Sequence, residues 1–159
     1  MDMHLFGDIL VESAMALSYS CHKDQRDRNG MPYIFHPYSV ALLIAEYEEH
    51  IKSVFPDLDI TELVVIALLH DVIEDCEDGE EKIKWYFHYT GKVLDTVKIL
   101  TRSKDETYFD YIKRVSLDSR AAIVKYFDLL HNIHRGRISE SLHERYDKAL
   151  RILKPIIKK

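Results

Sequence analysis

The sequence predicts an all-α domain, and three observations carry that prediction. Apolar residues recur at helical spacing, glycine and proline are scarce and clustered, and no segment alternates apolar with polar residues as a strand would. Five glycines and four prolines serve 159 residues. Three of the glycines and two of the prolines fall at Asn29-Gly30-Met31-Pro32, Phe55-Pro56-Asp57, Asp78-Gly79 and Thr90-Gly91, where turn chemistry ends one helix and starts the next. The intervals predict helices over 5–22, 37–52, 60–74, 80–89, 92–101, 106–116, 119–132 and 140–157. Asp59-Ile60-Thr61-Glu62 supplies capping residues ahead of an apolar run, and Asp118 or Ser119 can cap the helix after it in the same way. Lys158-Lys159 reads as a solvated tail whose charge suits a helix C-terminus.

Length and composition set the frame for function. With 47% apolar residues, 159 residues suffice for one helical core, so the expected organisation is a single domain over 1–159. The formal net charge is −5, with Lys and Arg dispersed among acidic residues, which argues against binding a nucleic acid polymer but leaves room for a small anionic ligand. Cys21 and Cys76 are far apart in sequence, and no export signal opens the chain, so reduced thiols in a cytoplasmic protein are expected. The longest apolar run, Leu63 to Leu69, is too short to span a bilayer and reads as a buried helix.

That run ends in His70-Asp71, two polar groups where a core helix should continue, and burying them unpaired would cost several kcal/mol, roughly. Glu74 and Asp75 follow one turn on, at spacings that align His70 with Glu74 and Asp71 with Asp75 on one helical face. Two readings fit this spacing. One is a solvated acidic patch continuing through Glu77, Asp78, Glu80 and Glu81. The other is one divalent cation, and imidazole with carboxylate oxygen suits Mn²⁺, Fe²⁺, Co²⁺ or Zn²⁺. His36 stands just ahead of a helix after the Asn29–Phe35 loop, and Asp128 interrupts the apolar stretch 121–130 with Lys125 and Asn132 on its own face. A buried Asp128–Lys125 pair would account for one of these anomalies; a single metal accounts for all of them.

In the order His36, His70-Asp71, Asp128, the chain resembles the HD phosphohydrolase superfamily. More narrowly, His22-Lys23-Asp24-Gln25, Gly30-Met31-Pro32-Tyr33-Ile34-Phe35-His36-Pro37, His70-Asp71-Val72-Ile73-Glu74-Asp75 and Asp128-Leu129-Leu130-His131-Asn132 resemble the hydrolase domain of RelA/SpoT-type alarmone enzymes. The resemblance implies an all-helical bundle of the HD type. It implies His36, His70, Asp71 and Asp128 as metal ligands, usually for Mn²⁺, Glu74 and Asp75 as the acidic pair of hydrolysis, and Asn132 as a nucleotide contact. The implied reaction removes pyrophosphate from the 3′ position of guanosine tetra- or pentaphosphate. Lys125, Arg28 and Lys23 are candidates for meeting phosphate charge, and Tyr33 for lining the pocket mouth. The chain departs from the long bifunctional enzymes at Asp24, Asp27 and Leu129, standing for Gly, a base-associated Arg and Arg; there it looks like a subgroup of small stand-alone HD proteins.

The expected ligand is therefore a small phosphorylated nucleotide, with the guanosine tetraphosphate first. The alternatives are a nucleotide phosphatase or pyrophosphatase acting on another nucleotide or NADPH, and a nucleotide-sensing module without turnover. A homodimer is the assembly to test. Aromatics at 85–89 and 108–111 read as core, His131 and His134 as supporting or surface residues, and Arg135 with Arg137 as a basic loop that either reaches a distal phosphate or is solvated.

Overall fold

The computed structural model describes residues 8–88, 90–136 and 138–157. Among these residues the chain is helical, in the order α1 (Ile9–His22), α2 (Phe35–Glu46), α3 (Glu48–Val54), α4 (Ile60–Leu69), α5 (Val72–Asp75), α6 (Gly79–Phe87), α7 (Gly91–Leu100), α8 (Tyr108–Val115), α9 (Ser119–His134) and α10 (Glu140–Ile157). Of the sequence expectations, residues 5–7, Tyr89, Arg137 and the closing Lys158-Lys159 lie outside the described residues.

The apolar run forms the central helix. Leu63, Val64, Val65, Ile66, Ala67, Leu68 and Leu69 of α4 are all buried, which calls for neighbours on every side. α2 and α1 supply the closest, α7 and α9 the rest, and α10 covers α9 and α8. Asp59 caps α4 by accepting from the backbone N–H of Thr61 at 2.8 Å, and Asp118 caps α9 by accepting from Ala121 at 2.9 Å.

Two expected helices are each broken in two. The stretch 37–52 divides at Tyr47 (φ −94°, ψ 13°), where the ring leans on Phe127 at 5.3 Å and the new direction of α3 returns Ile51 to the core. No glycine or proline marks this break. The stretch 60–74 divides at His70-Asp71: α4 stops at Leu69, Asp71 takes φ −100° and ψ −1°, and α5 starts again at Val72. This second break corrects the single helical face expected for His70, Asp71, Glu74 and Asp75. The turn from α5 into α6 is tight, since a Cβ at Gly79 would collide with the Val72 carbonyl, and Asp78 enters it in the left-handed region at φ 56°.

Two further expectations are corrected by packing. Cys21 at the end of α1 and Cys76 just after α5 are joined in a disulfide, with Cα atoms 5.3 Å apart across a sequence separation of 55. Distance along the chain says nothing of distance in space once α1 packs on α5. On α6, Ile83 and Phe87 face the core while Trp85 and Tyr86 face outward, so the 85–89 aromatics are not all core. No helix among the described residues is long and apolar enough to cross a membrane.

Candidate metal centre

The break after Leu69 places two consecutive polar side chains at the inner end of the most buried helix, and α2 and α9 bring the others to meet them. His36 enters from the first turn of α2, directly ahead of Pro37, and Asp128 from the middle of α9. All of His36, His70 and Asp128 are buried, at 1%, 3% and 3% exposure. One ligand atom each from His36, His70 and Asp71 lies within 4.8 Å of the other two. Asp128 joins through Oδ1, 3.0 Å from His36 Nε2 and 3.8 Å from His70 Nε2. His70 Nε2 stands 3.0 Å from Asp71 Oδ2. The residues expected as ligands are thus brought together, although they come from three separate stretches of chain.

Each of these groups is held by others. His70 Nδ1 lies 2.6 Å from the Ala67 carbonyl, which can only accept, so the ring carries its proton there and turns the Nε2 lone pair inward. The Tyr33 hydroxyl donates to Asp71 Oδ2 at 2.5 Å. Lys125 Nζ donates to Asp128 Oδ2 and Asn132 Nδ2 to Asp128 Oδ1, both at 2.6 Å. His36 Nδ1 faces His131 Nδ1 at 2.8 Å.

The electrostatics show what the cluster lacks. Burial opposes charge on His70, yet Asp71 and Asp128 outweigh it and push its pKa up to about 9. Burial would raise Asp71, but His70 and His36 hold its carboxyl far below the usual range; against the same burial, Lys125 and then His36 hold Asp128 well below. The buried Asp128 and the partly buried Asp71 therefore remain ionised and draw a second proton onto His70, at Nε2, the nitrogen that a cation would otherwise take. His70 Nε2 is nonetheless a buried nitrogen with no hydrogen-bond partner among the described residues. A divalent cation bound by nitrogen and carboxylate oxygen satisfies these requirements together, so the donor set fits one.

Beside the cluster are two hollows of about 340 and 330 Å³ that share Asn132 and Tyr146 as a common wall. The first is lined by His70, Asp71, Glu74 and Lys125 and rimmed by Arg102, Lys104 and Arg145. The second holds Arg28, Tyr33, Asp27 and Arg135. Lys125, Asn132, Arg28 and Tyr33 therefore all line the cleft, whereas Lys23 is exposed at the end of α1. The acidic pair is split. Glu74 faces the first hollow, its Oε1 accepting from the Arg102 backbone N–H at 2.8 Å. Asp75 turns toward α1, with Oδ2 3.9 Å from His22 Nδ1; burial and then Asp71 raise its pKa.

Sequence reasoning missed Arg102, Lys104 and Arg145 as cleft residues. They lie on a loop and on a helix with ordinary surface composition, and no local pattern distinguishes a basic side chain at a cleft from one in solvent. His131 was separable by spacing only as a supporting residue; its contact with His36 depends on how α9 packs on α2.

A helical bundle with imidazoles and carboxylates converging at the floor of a basic cleft belongs to the metal-centred helical domains. The family model of the HD domain matches residues 33–133, and the chain belongs to that family. Family and cluster together mark a divalent-metal site. The chain is 31% identical over 156 residues to a probable GTP pyrophosphokinase of Mycobacterium leprae, covering 92% of this chain and 19% of that protein. It is 33% identical over 147 residues to a guanosine-3′,5′-bis(diphosphate) 3′-pyrophosphohydrolase of Haemophilus influenzae, covering 87% of this chain and 20% of the relative. It thus spans about a fifth of the curated relatives it matches. A solved structure, described as a metazoan ortholog of SpoT that hydrolyzes ppGpp, shares the fold with a TM-score of 0.67 and 19% identity, over 95% of this chain and 86% of the other.

Proposed function

We propose that this chain is a metal-dependent phosphohydrolase of phosphorylated nucleotides, with guanosine 3′,5′-bis(diphosphate) as substrate and 3′-pyrophosphate as the group removed. The observation that carries this reading is the convergence of His36, His70, Asp71 and Asp128 at the floor of a cleft rimmed by Arg102, Lys104 and Arg145. The names of relatives such as that of Haemophilus influenzae support the choice of substrate.

His36, His70, Asp71 and Asp128 would hold one divalent ion, Mn²⁺ before Fe²⁺, Co²⁺ or Zn²⁺. Bound there, such an ion supplies Lewis acidity to a phosphate oxygen and to water. The chain's own groups do the rest. Lys125, Arg102, Lys104 and Arg145 meet phosphate charge in the first hollow, and Asn132 stands at the wall between the hollows, where the sugar would pass. Glu74 takes the proton of the attacking water; its anchoring to the Arg102 N–H keeps it on the cleft side. Water oxygen bonds to phosphorus, the bond from phosphorus to the 3′ oxygen breaks, and that oxygen leaves with the proton that Glu74 took from the water. Asp75, turned toward His22, acts on Asp71 and Tyr33 electrostatically and does not line the first hollow with Glu74. Arg28 and Tyr33 line the second hollow, which would receive the base. We place the protein in the cytoplasm, acting as one domain, where the Cys21–Cys76 bond would be open to reduction.

A second reading has its own observation. Asp27 is already bonded to Asn29, Met31 and Arg135, so the second hollow contacts a base differently from the arginine that the resemblance leads one to expect at this position. This favours a phosphatase or pyrophosphatase of another nucleotide. The test is Mn²⁺-dependent turnover of guanosine tetraphosphate, nucleoside mono- and triphosphates and NADPH, with Asp71→Ala as the control. Pyrophosphate released from the tetraphosphate alone is the expected result. Preference for another nucleotide replaces the substrate, and no turnover by the Mn²⁺-loaded protein overturns the enzymatic reading.

A further inference from the structure

The two imidazoles in the cluster are supported in different ways, and the difference assigns a role to a residue outside it. A neutral imidazole that offers Nε2 to a cation must keep its proton on Nδ1, and that N–H needs an acceptor. His70 has a backbone carbonyl, that of Ala67, at 2.6 Å. A carbonyl accepts and does nothing else. His36 has His131, whose Nδ1 lies 2.8 Å from its own Nδ1, with ring centroids 5.0 Å apart.

An imidazole can face its neighbour in either sense. Without a cation, His36 Nε2–H can donate to Asp128 Oδ1 at 3.0 Å, and then His36 Nδ1 must accept the proton of His131 Nδ1. When a cation takes His36 Nε2, that nitrogen gives up its proton. Nδ1 becomes the donor, and His131 must accept with Nδ1 and carry its own proton on Nε2. We propose that His131 is a positioning residue for the metal centre: by exchanging donor and acceptor roles at Nδ1, it lets His36 serve the carboxylates when the cation is absent and the cation when it is bound. Half-buried on α9, three residues after Asp128, it is fixed relative to the cluster by the same helix.

This inference rests on the metal reading above, and its test separates the two. Mn²⁺ binding is measured on the whole chain by the electron paramagnetic resonance signal of free Mn²⁺, for wild type, His131→Leu and His131→Asn, with a thermal melt of each metal-free protein. Leucine keeps the bulk and removes the hydrogen bond, so a 10–100-fold weaker dissociation constant is expected, the usual loss when the partner of a ligating His is removed. Asparagine restores a polar atom at the place of Nδ1 and should recover binding to within a few-fold of wild type. ¹⁵N spectra of wild type should show His36 changing from the Nε2–H to the Nδ1–H form when diamagnetic Zn²⁺ is added. Unchanged Mn²⁺ affinity in His131→Leu overturns the proposal while leaving the metal site standing. Equal loss in both variants with equal melting shifts overturns it in favour of packing. No Mn²⁺ binding by wild type overturns the metal reading and this one with it.

Discussion

The floor and the rim of the cleft are built on opposite principles. At the floor, the charged groups are buried or partly buried and each carboxylate is held at a fixed distance: Asp128 by Lys125, Asn132 and His36, and Asp71 by the Tyr33 hydroxyl, with His70 Nε2 3.0 Å away. At the rim, Arg102, Lys104 and Arg145 are exposed, and Arg145 rests over the Tyr108 ring at 4.7 Å. Floor charges are part of the fold and cannot be changed without disturbing it; rim charges are solvated before a ligand arrives and cost little to alter. Stability and chemistry are therefore coupled in one region and separate in the other.

The strongest way to break this contrast is Asp128→Ala. It leaves the Lys125 ammonium buried without its carboxylate, and a loss of about 3–5 kcal/mol is expected in denaturant titration, together with loss of Mn²⁺ binding. A melt within a degree or two of wild type would show that the floor is not coupled to the fold. Next in size is reduction of Cys21–Cys76, which closes a loop of 55 residues and by chain entropy contributes about 4 kcal/mol. The reduced protein should melt several degrees lower, and an unchanged melt would contradict the pairing.

A smaller effect follows from the protons of the metal-free floor. The His70 pKa is raised to about 9, so its contribution to stability is complete below the unfolded value of about 6.5 and is lost as pH rises through 9. His131 moves the other way: burial, with His36 and Arg135, lowers it to about 4, so the unfolded chain gains a proton first as pH falls below about 6.5, and stability falls on that side. Melting temperature of the metal-free protein should peak near neutrality and decline in both directions. With saturating Mn²⁺ the alkaline decline should disappear; a flat profile in the metal-free protein would remove the account. The smallest effect on the fold belongs to Arg145→Ala, which should raise KM several-fold while leaving the melt within about 0.5 kcal/mol of wild type. A large melting shift there would blur the line between rim and floor.

How much of this could be read in advance depends on the same division. The core helix 63–69 announces itself because a buried helix has a composition of its own, and His70, Asp71 and Asp128 stand out as polar interruptions of such segments. The rim has no such background, so Arg102 and Arg145 look like any exposed basic residue. The break at His70-Asp71 was hidden for another reason: no glycine or proline is present, and the helix stops because its side chains are engaged elsewhere, a cause that exists only in three dimensions. The splitting of Glu74 from Asp75 needs no break, because consecutive residues of α5 point about 100° apart. The cysteine pair was invisible to spacing because α1 and α5 meet only through the packed core.

Asp27 shows what such engagement means for change over time. Its Oδ1 accepts from the N–H groups of Asn29 and Met31 at 2.8 and 2.9 Å, and its Oδ2 pairs with Arg135 at 2.8 Å, while Asn29 Nδ2 donates to the Arg135 carbonyl at 3.1 Å. An arginine placed at 27 alone would remove three acceptor contacts and set one guanidinium against another. The two positions are therefore locked as a pair: a change at 27 alone leaves the Arg135 guanidinium without its carboxylate, so the charge of the second hollow can be reversed cleanly only by changing 27 and 135 together.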